Sequence, residues 1–187
     1  MHYPIKISDV IPYWLFKSLQ DEYYFTGWKM YNVSSDNSGE RYSWSINTHQ
    51  PNQLIFYQIA TYIKYRIKKY IKKDLHFIRA HTNLYVYGQT GKFHKDFVVD
   101  KIWTFILFTT PNWNIQWGGE FVCYDGKEYS YVPHIPNAGV LIPSNWEHYG
   151  SCPNELANCS RTSIGFTFAE TDVLKQVLDL KVARSFV

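Results

Sequence analysis

Leu75-His-Phe-Ile-Arg-Ala-His-Thr-Asn-Leu-Tyr-Val-Tyr-Gly88 runs into Gln89-Thr-Gly-Lys-Phe-His-Lys-Asp96, and at this stretch the chain changes character. Before it the apolar pattern is helical. From Phe77 onward, strands alternate with turns. Candidate strands are Leu75 to Gly88, Lys101 to Thr109, Gly119 to Tyr124, Glu128 to Val132, Ala138 to Ile142 and Arg161 to Phe168. Gly88 to Gly91, Pro111-Asn112 and Asp125-Gly126 supply the turns between them. Helices first and many strands after predict a mainly β, α+β chain: a jelly roll with flanking helices on one sheet.

Upstream, Ser8-Asp9 is expected to cap a helix reaching about Tyr24, with Pro12 in its first turn. Residues 27–47 read as one or two short strands around a polar turn, Ser34 to Gly39. Pro51 opens the clearest helix, because Ile55, Ile59, Ile63, Ile67 and Ile71 repeat at i, i+4 for more than four turns. Lys64, Arg66, Lys68, Lys69, Lys72 and Lys73 give its far half a basic face, which solvation explains better than a nucleic-acid partner. Thr171 to Leu180 is expected to be a last helix capped by Thr171. Residues 1–187 are expected to form one domain, a helical and strand part over 1–75 and a jelly-roll core over 76–170.

Bulk composition agrees. The 187 residues are 45% hydrophobic, 19% charged and 19% aromatic, which is globular and suits a β-rich core. A net charge of +3 is too small to imply nucleic-acid binding. No apolar run is long enough for a membrane span, and Met1 to Lys6 lacks a signal-peptide core. The 3 Cys form no dense framework, and Cys152 and Cys159 are expected to be reduced thiols in a reduced, cytoplasmic protein.

The chemistry centres on His94, Asp96, His148 and Arg161. In extended chain, residues i and i+2 share a face, so His94 and Asp96 present an imidazole and a carboxylate to one point. His148 follows the strand Ala138 to Ile142, where a rigid scaffold empties into a turn. Two imidazoles and one carboxylate on one side of Fe(II) leave positions open for a bidentate 2-oxo acid and O2. Among the 7 His, His134 is the main rival to His148 as third ligand. His2, His49, His76, His81 and His134 itself read as structural. Arg161, Ser163 and Gly165 share one face of the strand beginning at Arg161. An inward Arg requires an anion, which a dicarboxylate cosubstrate supplies, with Ser163 as a second donor. Tyr85 and Tyr87 share a face with Asn83, and Tyr87 is the candidate hydroxyl donor to the same carboxylate. Trp113 and Trp117 read as packing residues that are also placed to rim the pocket.

Asn83-Leu-Tyr-Val-Tyr-Gly88, Phe93-His-Lys-Asp96, Thr104-Phe-Ile-Leu-Phe108, Trp113-Asn-Ile-Gln-Trp-Gly-Gly-Glu120 and Cys159-Ser-Arg-Thr-Ser163 together resemble the Fe(II)/2-oxoglutarate-dependent oxygenases. The resemblance is strongest to the prolyl-4-hydroxylase-like branch, with Trp117-Gly-Gly-Glu-Phe121 looking like a strand entry common there. It covers about Ala80 to Phe168. It implies a double-stranded β-helix, iron ligands at His94, Asp96 and His148, a cosubstrate clamp at Arg161, and Fe(II), 2-oxoglutarate, O2 and ascorbate as cofactors. The implied reaction is hydroxylation of a protein or peptide, prolyl in the nearest case, with release of succinate and CO2. Collagen-type members carry Lys where Arg161 stands. The chain's size resembles stand-alone viral and bacterial members, so the cytoplasm expected is that of a microbe or a virus-infected cell. Three alternatives stay open: the same chemistry on a nucleobase, amino acid or other small molecule, a non-enzymatic jelly-roll binding module, and a zinc hydrolase.

Overall fold

The computed structural model describes residues 4–25, 29–31, 43–49, 54–89 and 91–177. In chain order the elements are β1 (Ile5–Ile7), α1 (Tyr13–Phe25), β2 (Lys29–Tyr31), β3 (Ser43–His49), α2 (Leu54–Ile67), β4 (Leu75–Tyr85), β5 (Ile102–Phe108), β6 (Phe121–Tyr124), β7 (Tyr129–Val132), β8 (Gly139–Pro143), β9 (Glu147–Gly150) and β10 (Arg161–Glu170). They form a seven-stranded sheet in the order β1-β8-β5-β10-β4-β3-β2 and a three-stranded sheet in the order β7-β6-β9. All pairings are antiparallel. The expected mainly β jelly roll with flanking helices is what the chain forms.

Period two divides the large sheet's residues between two cores. On β5, Phe105 and Leu107 turn toward α1 and α2, and they join Ile164, Phe166 and Phe168 of β10 in one buried cluster with the helices. Ile106 and Phe108 turn the other way and meet Phe121, Cys123 and Val132 of the small sheet. Gly139 leaves room for the Phe105 ring of the neighbouring strand β5, because a Cβ there would stand 2.4 Å from it. The helices thus close one side of the large sheet and the small sheet closes the other. The odd-numbered residues of β10, Arg161 and Ser163 among them, are buried on the side of the small sheet.

The isoleucine ladder behaves as its spacing predicts, with Ile59, Ile63 and Ile67 wholly buried. The helix itself stops at Ile67, and Ile71 is carried into the core by a further turn in which its amide bonds the Ile67 carbonyl. Ile63→Ala is expected to cost about 2–5 kcal/mol, because the cavity lies between a helix and a sheet that cannot close on it. Urea unfolding checks this.

Several boundaries differ from the sequence reading. Ser8 and Asp9 do not cap α1, which begins after Pro12, whose carbonyl accepts from the Leu15 and Phe16 amides. Their carbonyls instead accept two 2.8 Å bonds from the Arg66 guanidinium, so Arg66 of the basic run is a fastener between α2 and the N-terminal segment. Strands β1 and β9 go beyond the sequence reading. Thr171 does not cap a helix. It opens a 3-10 turn, Thr171–Val173, that runs into helix over 174–177, and its hydroxyl lies 3.0 Å from His76 Nε2; the rest of the expected helix, to Leu180, lies outside the described residues. The turn Ser34 to Gly39 and Pro51 lie outside the described residues. No helix among the described residues is long and apolar enough to cross a membrane.

Candidate active site

The two histidines are brought together by backbone. His94 and His148 form an isolated antiparallel bridge in which each amide donates to the other's carbonyl, at 3.1 and 2.9 Å. His148 sits in the middle of β9, paired with Cys123 of β6. The bridge sets the imidazole centroids 4.5 Å apart. Asp96 completes the set, with Oδ1 3.7 Å from His94 Nε2 and Oδ2 3.6 Å from His148 Nε2. One ligand atom from each of the three residues lies within 4.8 Å of the others.

The remaining atoms of these side chains are already engaged, which fixes which atoms face inward. His94 Nδ1 is 2.9 Å from the Lys92 carbonyl, and His148 Nδ1 is 2.9 Å from the Trp146 carbonyl. A carbonyl can only accept, so each neutral ring carries its proton on Nδ1 and turns the Nε2 lone pair to the common point. Thr104 donates to Asp96 Oδ2 at 2.6 Å and is itself 2.8 Å from Ser144 Oγ, which holds the carboxylate in place. The His94 side chain is 35% exposed whereas Asp96 and His148 are buried, so the centre opens to solvent on the His94 side.

Electrostatics keep Asp96 and His148 unprotonated. Burial opposes ionisation of Asp96, but the His148, His81 and His94 imidazoles and the Thr104 hydroxyl outweigh it and hold the carboxyl far below its usual range. Burial pushes the His148 imidazole down against the pull of Asp96. His81, whose ring packs where a Cβ of Gly165 would stand, is held down to about 4, by burial first. A carboxylate and two neutral imidazoles arranged on one side suit Fe(II) and leave its other positions open.

Buried His148 and His134 are both neutral in the fold, and this has a measurable consequence. Each is depressed from 6.5. Below 6.5 the unfolded chain therefore binds protons that the folded chain refuses, and stability falls with pH. The metal-free protein is expected to lose about 1.4 kcal/mol per group for each pH unit below 6.5 in which the native imidazole stays neutral. Denaturant midpoints between pH 7 and 5 check this, and a flat profile contradicts it.

Arg161, at the start of β10, is 1% exposed. Its Nε donates to the Gly119 carbonyl at 2.7 Å and Nη1 to Ser163 Oγ at 3.2 Å. Nη2 is enclosed and has no partner. Among the described residues no carboxylate is within ion-pair distance of the guanidinium, and the Glu120 carboxylate accepts instead from Ser151 at 3.1 Å. Burial lowers the guanidinium to about 10. Two glycines make room for it. A Cβ on Gly150 would stand 3.0 Å from Nη1, and one on Gly119, where φ is +75°, would stand 3.0 Å from Cδ. Gly150 lies two residues beyond His148 on the same face of β9, so the guanidinium sits roughly 7 Å along the strand from a candidate metal ligand.

Of the residues singled out by sequence, His94, Asp96 and His148 converge on one point, and Arg161 and Ser163 on another beside it. Tyr87 does not join them: β4 ends at Tyr85, and Tyr87 is 64% exposed in the turn beyond. The buried Tyr85 lies over the Arg161 guanidinium instead, at 5.7 Å. Trp113 packs edge-on against Trp117 and donates to the Gly118 carbonyl. Cys152 and Cys159 are not joined by a disulfide. Sequence reasoning misses Thr104 and Gly150, which no spacing rule marks. It also sets His134 aside once His148 is preferred.

No family model and no curated protein matches the chain. Solved structures do. A prolyl-4-hydroxylase from Pseudomonas putida aligns with a TM-score of 0.65 at 16% identity, over 91% of this chain and 94% of that one. A 2OG-Fe(II) oxygenase family protein from Burkholderia pseudomallei gives 0.71 at 10% identity, over 89% and 84%. The fold is that of the 2OG-Fe(II) oxygenases. HygX from Streptomyces hygroscopicus, solved with nickel, 2-oxoglutarate and hygromycin B, aligns at 0.68 and 10% identity over 90% and 83%.

Proposed function

We propose that the chain is an Fe(II)- and 2-oxoglutarate-dependent oxygenase that hydroxylates a protein or peptide, prolyl in the first instance. The observation that carries this reading is the pairing of a His-Asp-His centre with a buried, unneutralised arginine one strand repeat away. Neither feature alone is enough, since metal centres and buried arginines each serve many chemistries. A zinc hydrolase gives Arg161 no role, and a binding module gives no role to oriented Nε2 lone pairs.

His94, Asp96 and His148 would hold Fe(II), and Arg161 with Ser163 and Tyr85 would hold the distal carboxylate of 2-oxoglutarate. Bound together, Fe(II) and 2-oxoglutarate supply the chemistry that couples O2 reduction and decarboxylation to insertion of oxygen into a C–H bond, releasing succinate and CO2. The chain's own contribution is to fix the donor atoms, neutralise the diacid and leave the His94 side open for the substrate. That open side supports a chain-like substrate. Phe93 and Tyr149, the neighbours of two of the ligands, pack at 4.6 Å, and Phe93 meets Tyr129 at 5.7 Å, leaving an exposed aromatic surface beside the centre. The HygX complex with hygromycin B favours the second reading, the same chemistry on a small molecule.

The test is succinate formation from 2-oxoglutarate under air with Fe(II) and ascorbate, alone and with a panel of proline-containing peptides. Succinate that rises with one peptide class supports the reading. Slow succinate indifferent to every peptide moves the substrate to small molecules. Metal binding with no succinate overturns the oxygenase.

A further inference from the structure

His134 lies just beyond β7, 2% exposed and sandwiched between Phe108 at 4.9 Å and Trp113 at 4.8 Å. Neither Nδ1 nor Nε2 has a hydrogen-bond partner, and both are closed to solvent. A neutral imidazole always carries one N–H and one lone pair, so a donor is wasted at a cost of about 1–3 kcal/mol. Buried orphans of this kind are uncommon in folded chains.

The surroundings of the ring indicate what would satisfy it. Arg161 shares these surroundings: its Cζ is 6.0 Å from the Phe108 ring, a Cβ at Gly119 would meet both Arg161 Cδ at 3.0 Å and Trp113 Cζ2 at 2.9 Å, and its charge acts on the His134 imidazole. Arg161 Nη2 is a further enclosed nitrogen with no partner. What completes this pocket must accept hydrogen bonds and carry negative charge. A cation is repelled by the guanidinium, and an alcohol or amide leaves its charge unopposed. A carboxylate has two oxygens, one for Nη2 and one for the imidazole N–H.

We propose that His134 is a further donor, beside Arg161, Ser163 and Tyr85, to the distal carboxylate of the 2-oxo acid cosubstrate. This rests on the oxygenase reading and adds a residue to it. Burial, and then Arg161, disfavour the imidazolium, so the ring donates as a neutral group and the contact needs no proton uptake.

The test is calorimetric titration of the full chain loaded with Ni(II), with two ligands. 2-Oxoglutarate has the distal carboxylate, and 2-oxobutanoate keeps the chelating end without it. His134→Phe retains a ring between Phe108 and Trp113 and removes the donor. It is expected to weaken 2-oxoglutarate roughly tenfold or more, leaving Ni(II) and 2-oxobutanoate binding as in wild type. His134→Asn, which keeps an N–H, is expected to recover part of the loss, and it carries the comparison if the Phe variant does not fold. Unchanged 2-oxoglutarate affinity in His134→Phe overturns the proposal, as does equal weakening of both ligands, which would make His134 a packing residue. Wild-type protein that binds Ni(II) but not 2-oxoglutarate overturns the oxygenase reading itself, and this inference with it.

Discussion

Asp96→Asn is expected to abolish metal-dependent succinate formation while leaving the fold standing. Asn keeps the size of the side chain and one carbonyl oxygen, but loses the only negative charge among the three converging donors. Thr104 donates at 2.6 Å to Oδ2, a contact an amide can accept only if its oxygen takes that place, which turns its NH2 toward His94. Disturbing a residue that merely supports a metal ligand costs about 10–100-fold in affinity, so loss of the ligand itself is expected to exceed roughly a hundredfold. Equilibrium dialysis with Ni(II) reads the affinity and circular dichroism reads the fold. Wild-type turnover in this variant would sink the metal assignment. Thr104→Val, one step back, belongs in the range of about 10–100-fold.

Arg161→Leu is expected to separate function from stability in opposite directions. Truncating one partner of a desolvated charge pair costs about 3–5 kcal/mol, so 2-oxoglutarate binding should fall at least about a hundredfold. The metal-free protein, however, has no carboxylate against the guanidinium, and replacing an unpaired buried charge with an apolar side chain relieves desolvation. It also strands the Gly119 carbonyl and Ser163 hydroxyl that the guanidinium now satisfies. The two effects offset, and the denaturant midpoint of the metal-free variant is expected to stay near that of wild type. An arginine with a purely structural role would behave the other way, unfolding the protein and leaving ligand affinity in the surviving fraction untouched. Arg161→Lys tests geometry, since a lysine cannot bond the Gly119 carbonyl and a carboxylate through a planar fork.

What can be read from the sequence follows the reach of local periodicity. The long strands β4, β5 and β10 and the isoleucine face of α2 declare themselves because many residues repeat one pattern. Strands β1 and β9, at three and four residues, are too short for alternation to register. β9 nonetheless carries His148, and only its pairing with β6 and with His94 makes it a strand. The candidate metal ligands stand out in the sequence because their chemistry is rare in combination, and the fold brings them together. Sequence favours Tyr87 over Tyr85 because alternation puts both on one face, and nothing in the pattern says that the strand ends between them. Ser8 and Asp9 look like caps, but Pro12 fixes where α1 starts, and their carbonyls serve Arg66 from far along the chain. His134 enters the sequence reading as a structural histidine and as a rival metal ligand, because its closeness to Arg161 comes from the small sheet folding over the large one, which no spacing encodes.

The reciprocal backbone bonds between His94 and His148 mean that the chain, not the ion, does the work of assembly. In a site whose ligands meet only around their metal, removing the metal scatters them and loading it again requires folding. With this bridge in place, backbone alone holds two of the three proposed donors together, which lowers the entropic cost of gathering them around an ion. Metal exchange becomes a matter of supply and concentration, and a chelator should act on this protein as an off switch that leaves a folded chain ready to be turned on again.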